Sequence, residues 1–154
     1  MSKITLFDKT FRPFIPYEEL EKAIDKVADH INADFSDSKE PVVLLCILNG
    51  SIMFTAELMK RLSFDCQLVS MKLSSYCGTE STGNVKQVMG MTGDIKGKHV
   101  IIVEDIVDTG NTIVDLTRIV KEKGALDCKV CTMLLKPEVY KKDVKLDYVA
   151  MEIP

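Results

Sequence analysis

Seven consecutive apolar residues, Val42-Val43-Leu44-Leu45-Cys46-Ile47-Leu48, constrain this chain more than any other stretch. A half-exposed strand alternates apolar and polar side chains, because successive residues face opposite sides of the pleat. This run does not alternate. As a strand it must be covered on both faces, which is the situation of a parallel sheet carrying helices above and below. It is also the longest such run in the sequence, far short of the ~20 residues that cross a bilayer, so no membrane span is expected.

The flanking segments supply the helices such a sheet needs. Between Pro16 and Phe35, the residues Leu20, Ile24, Val27, Ala28 and Ile31 recur at spacings of three and four. That is one apolar helix face, and Glu18 and Glu19 lie in the first turn, where the helix dipole favours acids. A second helical pattern follows the apolar run, from Ile52 to Leu62, after the break at Asn49-Gly50-Ser51. Phe64 to Leu73 contains another strand, His99 to Val103 a third, Val130 to Leu135 a fourth and Leu146 to Met151 a fifth. A helix from Asn111 to Lys123 buries Ile113, Leu116, Ile119 and Val120 and stops at Gly124, a residue suited to the left-handed cap. Ser74 to Gly97, with five glycines, is too long for a simple connector and reads as a β-excursion, a functional loop, or both. Strand and helix in alternation predict an α/β fold, one domain over residues 1–154, with a mainly parallel central sheet flanked by helices and joined by right-handed crossovers. A length of 154 residues suits one domain.

Composition excludes several classes. Twenty basic against 23 acidic side chains leave a net charge of −3, so no global positive field favours nucleic acid or a membrane surface. The amino-terminal residues Met1 to Thr5 lead into no long apolar stretch of the kind a secretory leader requires. Five scattered cysteines, an odd number, then fit reduced thiols in the cytoplasm better than a disulfide framework. Cys128 and Cys131 form a nominal CxxC, which could be a redox or zinc half-site. On a strand, however, residues three apart face opposite sides, and no second ligand pair completes a metal set, so both read as buried thiols.

In open α/β sheets, ligands bind outside the carboxyl ends of the strands. One junction there carries chemistry: Val100-Ile101-Ile102-Val103-Glu104-Asp105-Ile106-Val107-Asp108-Thr109-Gly110-Asn111-Thr112. A buried strand runs into three acids, then into a hydroxyl- and glycine-bearing turn that opens a helix. Thr109 to Thr112 can aim backbone N–H groups and two hydroxyls at one point, at the positive helix end, as an anion cradle. Acids beside an anion site make sense for a ligand with two different parts. Glu104 and Asp105 can accept hydrogen bonds from vicinal hydroxyls or hold Mg²⁺, while the turn takes a phosphate. A sugar phosphate meets both demands.

Val103 to Thr112 resembles the phosphoribosyl-pyrophosphate motif of type I phosphoribosyltransferases, with the flavour of the hypoxanthine (hypoxanthine-guanine) phosphoribosyltransferases. Four more segments resemble that family in order: Ile47 to Ser51, Ser74-Ser75-Tyr76, Leu134 to Pro137, and Asp147-Tyr148-Val149 with Glu152-Ile153-Pro154. The resemblance implies a purine-salvage transferase that moves ribose 5-phosphate from phosphoribosyl pyrophosphate to N9 of hypoxanthine, and of guanine, releasing pyrophosphate. It implies Glu104 and Asp105 at the ribose hydroxyls and Mg²⁺, and Asp108 as the general base beside the purine. The 5′-phosphate falls on Thr109, Gly110, Asn111 and Thr112, and pyrophosphate on Leu48, Asn49 and Gly50, where the family often has a non-proline cis peptide. Ser75 and Tyr76 fall on a closing loop. Lys136 falls at the 6-oxo group, Tyr148 stacked on the base, and Val149 offering main-chain groups to its edge. A cytoplasmic homo-oligomer, dimer or tetramer, is implied as well. Two departures stand out. Asn49 occupies a position where many relatives carry Lys, and the sequence ends at Pro154, where the family continues with an acid and a segment of the purine-binding hood, so the hood is expected to be incomplete. A xanthine-guanine-specific transferase, a nucleotide-sensing RNA-binding regulator on the same fold, and an inactive sugar-phosphate-binding module are the other readings.

Overall fold

In the computed structural model, which describes residues 3–74 and 86–154, the apolar run is strand β3 (Val42–Leu48), at the centre of a six-stranded sheet. The other strands are β4 (Cys66–Ser74), β5 (Lys86–Met89), β6 (His99–Val107), β7 (Asp127–Leu135) and β8 (Tyr148–Glu152). Their order is β5-β4-β3-β6-β7-β8, and every pairing is parallel except β4 with β5. Within the stretch from Ser74 to Gly97, the described residues Lys86–Met89 form β5, which pairs antiparallel with β4.

Both faces of β3 are covered, as its pattern demands. Val43, Leu45 and Ile47 enter one core with Val100 and Ile102 of β6, beneath helix α3 (Asn111–Glu122) and its Ile113, Leu116 and Val120. Val42 and Leu44 enter the other with Ile101 and Val103, beneath helix α1 (Tyr17–Phe35) and helix α2 (Ile52–Met59). Helix α1 presents Ile24, Val27, Ala28, Ile31 and Phe35 to the sheet, the face its spacing predicts, with Glu18 and Glu19 in its first turn. Helix α3 ends where Gly124 takes φ +81°, and the N–H of Ala125 returns to the carbonyl of Val120. Cys128 and Cys131 fall on opposite faces of β7, one in each core. No helix among the described residues is long and apolar enough to cross a membrane.

Several boundaries differ from the sequence reading, and one hairpin is added. Helix α2 stops at Met59, and the chain tightens there so that the N–H groups of both Arg61 and Leu62 reach the carbonyl of Leu58. Strand β6 runs on to Val107, because β7 stays paired with it through Val107↔Leu135. Glu104 and Asp105 are thus strand residues, not loop residues. Strand β8 begins at Tyr148 rather than Leu146. A short hairpin, β1 (Ile4–Leu6) and β2 (Lys9–Phe11), precedes α1. Its strands are three residues long and exposed throughout, so they leave no periodic signal.

Tyr148 is the clearest correction. The residue is 4 % exposed, in the core with Val42, Leu44, Cys131 and the α1 residues, and its hydroxyl donates to the Asp34 carboxylate of α1. It pairs with Cys131, so it stands at mid-sheet rather than at the carboxyl edge. A ring so placed ties β8 to α1 and has no free face for a base. The hydroxyl of Tyr148 holds the Asp34 carboxyl below its ordinary value, with the Lys129 ammonium adding to the effect against some desolvation.

Tyr148→Phe keeps the ring and removes that bond. Asp34 is 45 % exposed, so solvent screens the pair, and the expected cost is about 1 kcal/mol, read as a melting temperature roughly 2–4 °C lower for a chain of this size. Because the folded carboxyl titrates below its ordinary 3.8, the deficit should be full above that pH and close as the pH falls through it. Thermal unfolding of both proteins between pH 3 and pH 7 checks the sign.

Candidate functional site

The chain turns one way after β3, to β4, and the other way after β6, to β7. A crevice opens where connections diverge at the carboxyl ends of neighbouring parallel strands. The β3–β6 ladder ends at Cys46↔Val103. Beyond it Leu48-Asn49-Gly50 leaves one strand and Glu104 to Asp108 continues the other.

The turn after β3 is fixed from behind. Leu48–Asn49 is a cis peptide, as the resemblance implies. Ser51, fully buried, donates its hydroxyl to the carbonyl of Ile47 at 2.8 Å, and its own carbonyl accepts the Thr55 hydroxyl at 2.7 Å. The N–H of Ile52 returns to the carbonyl of Asn49. These bonds leave Asn49 and Gly50 exposed at the crevice. Gly50 stands directly against the Asp105 carboxyl: a Cβ there would lie 2.8 Å from the carboxyl carbon, closer than real side chains approach. The missing side chain is the room in which Asp105 sits.

Glu104 and Asp105 are consecutive on β6 and differ sharply in environment. Glu104 is 8 % exposed, whereas Asp105 is partly open and accepts the N–H of Ile106 at 2.8 Å. Burial, reinforced by the neighbouring Asp105 charge, pushes the Glu104 carboxyl up to about 8. Asp108 is exposed one turn further on, its carboxylate accepting the N–H of Thr109 at 2.6 Å.

The cradle read from the sequence is a helix N-terminus with nothing of its own in it. Gly110 caps α3 at φ +83°, a backbone that favours glycine, and no side chain caps the helix. The first internal helix bond is Val114 N–H to Gly110 carbonyl, so the N–H groups of residues 111 to 113 have no partner within the helix. Glu104, Asp108, Gly110, Asn111 and Thr112 line one shallow cleft with Ile106, Val107 and Ile113. Lys136 follows β7 directly, its N–H bonded to the carbonyl of Val107 at 2.9 Å, which sets it beside Asp108 at the crevice rim. It is half-buried, and its ammonium makes no ion pair with any described residue.

Of the residues singled out from the sequence, the structure gathers Leu48, Asn49, Gly50, Glu104, Asp105, Asp108, Thr109, Gly110, Asn111, Thr112 and Lys136 at one sheet edge. Tyr148 is in the core. Val149 is on the outermost strand in register with Thr132, two strands from β6 and so about 10 Å across the sheet; its side chain packs on the α3-side core, and it is not brought to the cleft. Ser75 and Tyr76 lie outside the described residues. Sequence reasoning missed Tyr140, whose ring lies against Gly110: a Cβ at Gly110 would stand 2.8 Å from its Cδ2 and 2.9 Å from Cγ of Lys142. It sits in a lysine-rich stretch without periodicity, and nothing local marks it.

Among the described residues no group of three or more His, Cys, Asp or Glu side chains converges on one point. The adjacent Glu104 and Asp105 still suit Mg²⁺, which commonly takes one or two carboxylates and fills its shell with water and substrate oxygens. A cation there would also relieve the repulsion between the two acids.

A family model described as phosphoribosyl transferase domain matches residues 16–154. Hypoxanthine-guanine phosphoribosyltransferase from Streptococcus pneumoniae is 38 % identical over 141 residues, 91 % of this chain and 77 % of that one. Hypoxanthine phosphoribosyltransferase from Buchnera aphidicola subsp. Schizaphis graminum is 34 % identical over 146 residues, 94 % and 82 % of the two chains. Among solved structures, hypoxanthine-guanine phosphoribosyltransferase from Bacillus anthracis superposes with a TM-score of 0.84 at 35 % identity, covering 94 % of this chain and 82 % of that one. The Trypanosoma cruzi hypoxanthine enzyme in complex with the product IMP superposes with a TM-score of 0.80 at 34 % identity, covering 89 % and 77 %.

The buried acid has a measurable signature. Unfolded Glu104 releases its proton near 4.5, while the folded group holds it to about 8. The folded protein should therefore lose stability as pH rises between those values. Glu104→Gln, uncharged at every pH, should gain in melting temperature over the parent across that window and gain no more above it. Scans without divalent cations check this; a gap that stays constant from pH 5 to pH 8 contradicts it.

Proposed function

The chain belongs to the phosphoribosyltransferase family, and from that premise we propose that it is a purine-salvage enzyme. It transfers ribose 5-phosphate from phosphoribosyl pyrophosphate to N9 of hypoxanthine, and of guanine, with release of pyrophosphate. The observation that carries the reading is the pairing of two unlike half-sites. The Asp105 carboxylate set against Gly50, with Glu104 beside it, suits hydroxyls, and an uncapped helix end five residues on suits a phosphate dianion. The names of the relatives point to the same reaction.

Each residue then has a task. Thr109 to Thr112 hold the 5′-phosphate through backbone N–H groups and hydroxyls. Glu104 and Asp105 accept from the ribose hydroxyls and would together hold Mg²⁺, which would supply positive charge to offset that of the pyrophosphate. The main chain at Leu48-Asn49-Gly50 takes that pyrophosphate; with Asn49 at its centre, this turn supplies no fixed positive charge. The C1′–O bond breaks with its electron pair leaving on pyrophosphate, the sugar ring becomes cationic, and purine N9 forms the new bond to C1′. Carboxylates beside the ring favour that cation. Asp108, exposed at the rim, accepts the proton the purine must lose. Lys136 donates to the 6-oxo group and offers nothing to a 6-amino group.

Nucleotide formation from phosphoribosyl pyrophosphate and Mg²⁺ with adenine, hypoxanthine, guanine and xanthine in turn tests the reading. Hypoxanthine and guanine should react and adenine should not, because an unpaired polar partner is strongly disfavoured. Adenine reacting as well as hypoxanthine would remove Lys136 from its role, and no nucleotide from any base would end the proposal. In the same assay Asp108→Asn should lower turnover by ~10²–10⁴-fold, the usual cost of losing a general base, with a smaller change in KM for phosphoribosyl pyrophosphate. An unaltered turnover number would take Asp108 out of the mechanism.

A further inference from the structure

The proposed site has two halves on different elements: the phosphate turn between β6 and α3, and Lys136 at the end of β7. Transfer needs the sugar phosphate and the base held in one fixed geometry, and small misplacements are costly. The ladder between β6 and β7 ends at Val107↔Leu135, extended once by the N–H of Lys136 on Val107. Past that point the two chains separate, and the sheet no longer fixes one against the other.

Tyr140 bridges them. Its N–H, like that of Val139, bonds to the carbonyl of Lys136, at 3.1 and 3.2 Å, so Lys136 to Tyr140 is one closed turn. Its hydroxyl donates to the carbonyl of Val144, further along the same connection to β8. Its ring packs on the α3-side core and occupies the space in front of the Gly110 Cα that any side chain at 110 would need. The residue facing the base is thus braced, through one turn and one ring, against the residue at the centre of the phosphate turn. The bond from Lys136 N–H to Val107 fixes the start of this turn, and the Tyr140 ring adds the contact with Gly110.

We infer that Tyr140 is a positioning residue, whose ring against Gly110 sets Lys136 at the distance from the phosphate turn that a 6-oxopurine nucleotide requires. This rests on the function proposed above. Tyr140 does not line the cleft that Glu104, Asp108 and Gly110 to Thr112 share, so it acts through Lys136 and should reveal itself in base selectivity rather than in overall binding.

The test is the ratio of dissociation constants for adenosine and inosine 5′-monophosphates, measured by calorimetry on the parent, Tyr140→Phe and Tyr140→Leu. The parent should prefer the 6-oxo nucleotide. Tyr140→Leu, without ring or hydroxyl, should reduce that preference by about tenfold, the loss of one well-placed hydrogen bond to a charged donor. Tyr140→Phe, which keeps the ring against Gly110 but frees it from Val144, should reduce it by roughly threefold. A purely structural loss would weaken both nucleotides alike and leave the ratio where it was. An unchanged ratio in both variants overturns the inference while the proposed function stands. If Tyr140→Leu fails to melt cooperatively, Tyr140→Phe decides alone, and an unchanged ratio there overturns it. A parent with no preference between the nucleotides would sink the Lys136 role and this inference together.

Discussion

Two neighbouring parallel strands with apolar side chains on both faces, β3 and the first half of β6, govern the rest of the structure. Neither can face water on either side, so helices must cover both faces: α3 over one, α1 and α2 over the other. Once those strands lie side by side, their carboxyl ends must open at one place. The connections leave in opposite directions, and the gap between them is the crevice. The site follows from where the core is.

What fills the crevice is set by exclusion at two glycines. Gly50 leaves room for the Asp105 carboxyl, and Gly110 leaves room for the Tyr140 ring. In both cases a structural group occupies the volume of an absent side chain, so the turns and the groups behind them cannot shift independently. Buried Ser51, bonded to Ile47 and Thr55, does similar work behind the turn after β3. The electrostatics are less comfortable. Glu104 is held away from water beside a second acid, an arrangement that costs stability in the free protein and is relieved when hydroxyl donors or a cation meet it.

Much of this was legible in the sequence. The unbroken apolar run announced the buried parallel strand, and the spacing from Leu20 to Ile31 announced the face of α1. The acids followed by Thr109-Gly110-Asn111-Thr112 point to the two halves of the candidate site that the structure brings together. Burial depth was not legible. The resemblance places Tyr148 on the base, and an aromatic beside a strand end can stack on a ligand or fill a core with equal ease. Only the register of β8 with β7, Tyr148 opposite Cys131, shows that this tyrosine lies under α1. The apolar pattern of β6 stops four residues short of the strand because acids look like loop, although a strand at the sheet's carboxyl edge can carry them when a crevice, not a core, lies opposite. Tyr140 was invisible for a similar reason. Its importance comes from Gly110, thirty positions away in the chain.

The central claim is that one crevice binds a ligand with two chemically unlike ends, acids for hydroxyls and a helix terminus for phosphate. Titration calorimetry with ribose 5-phosphate, ribose and inorganic phosphate, each with Mg²⁺, examines it directly. If both halves act together, ribose 5-phosphate should bind at least about tenfold more tightly than inorganic phosphate, since charge-assisted bonds to the sugar hydroxyls add to those on the phosphate, and ribose alone should bind more weakly still. Inorganic phosphate binding as tightly as ribose 5-phosphate would contradict the claim, because Glu104 and Asp105 would then have no part in holding the sugar.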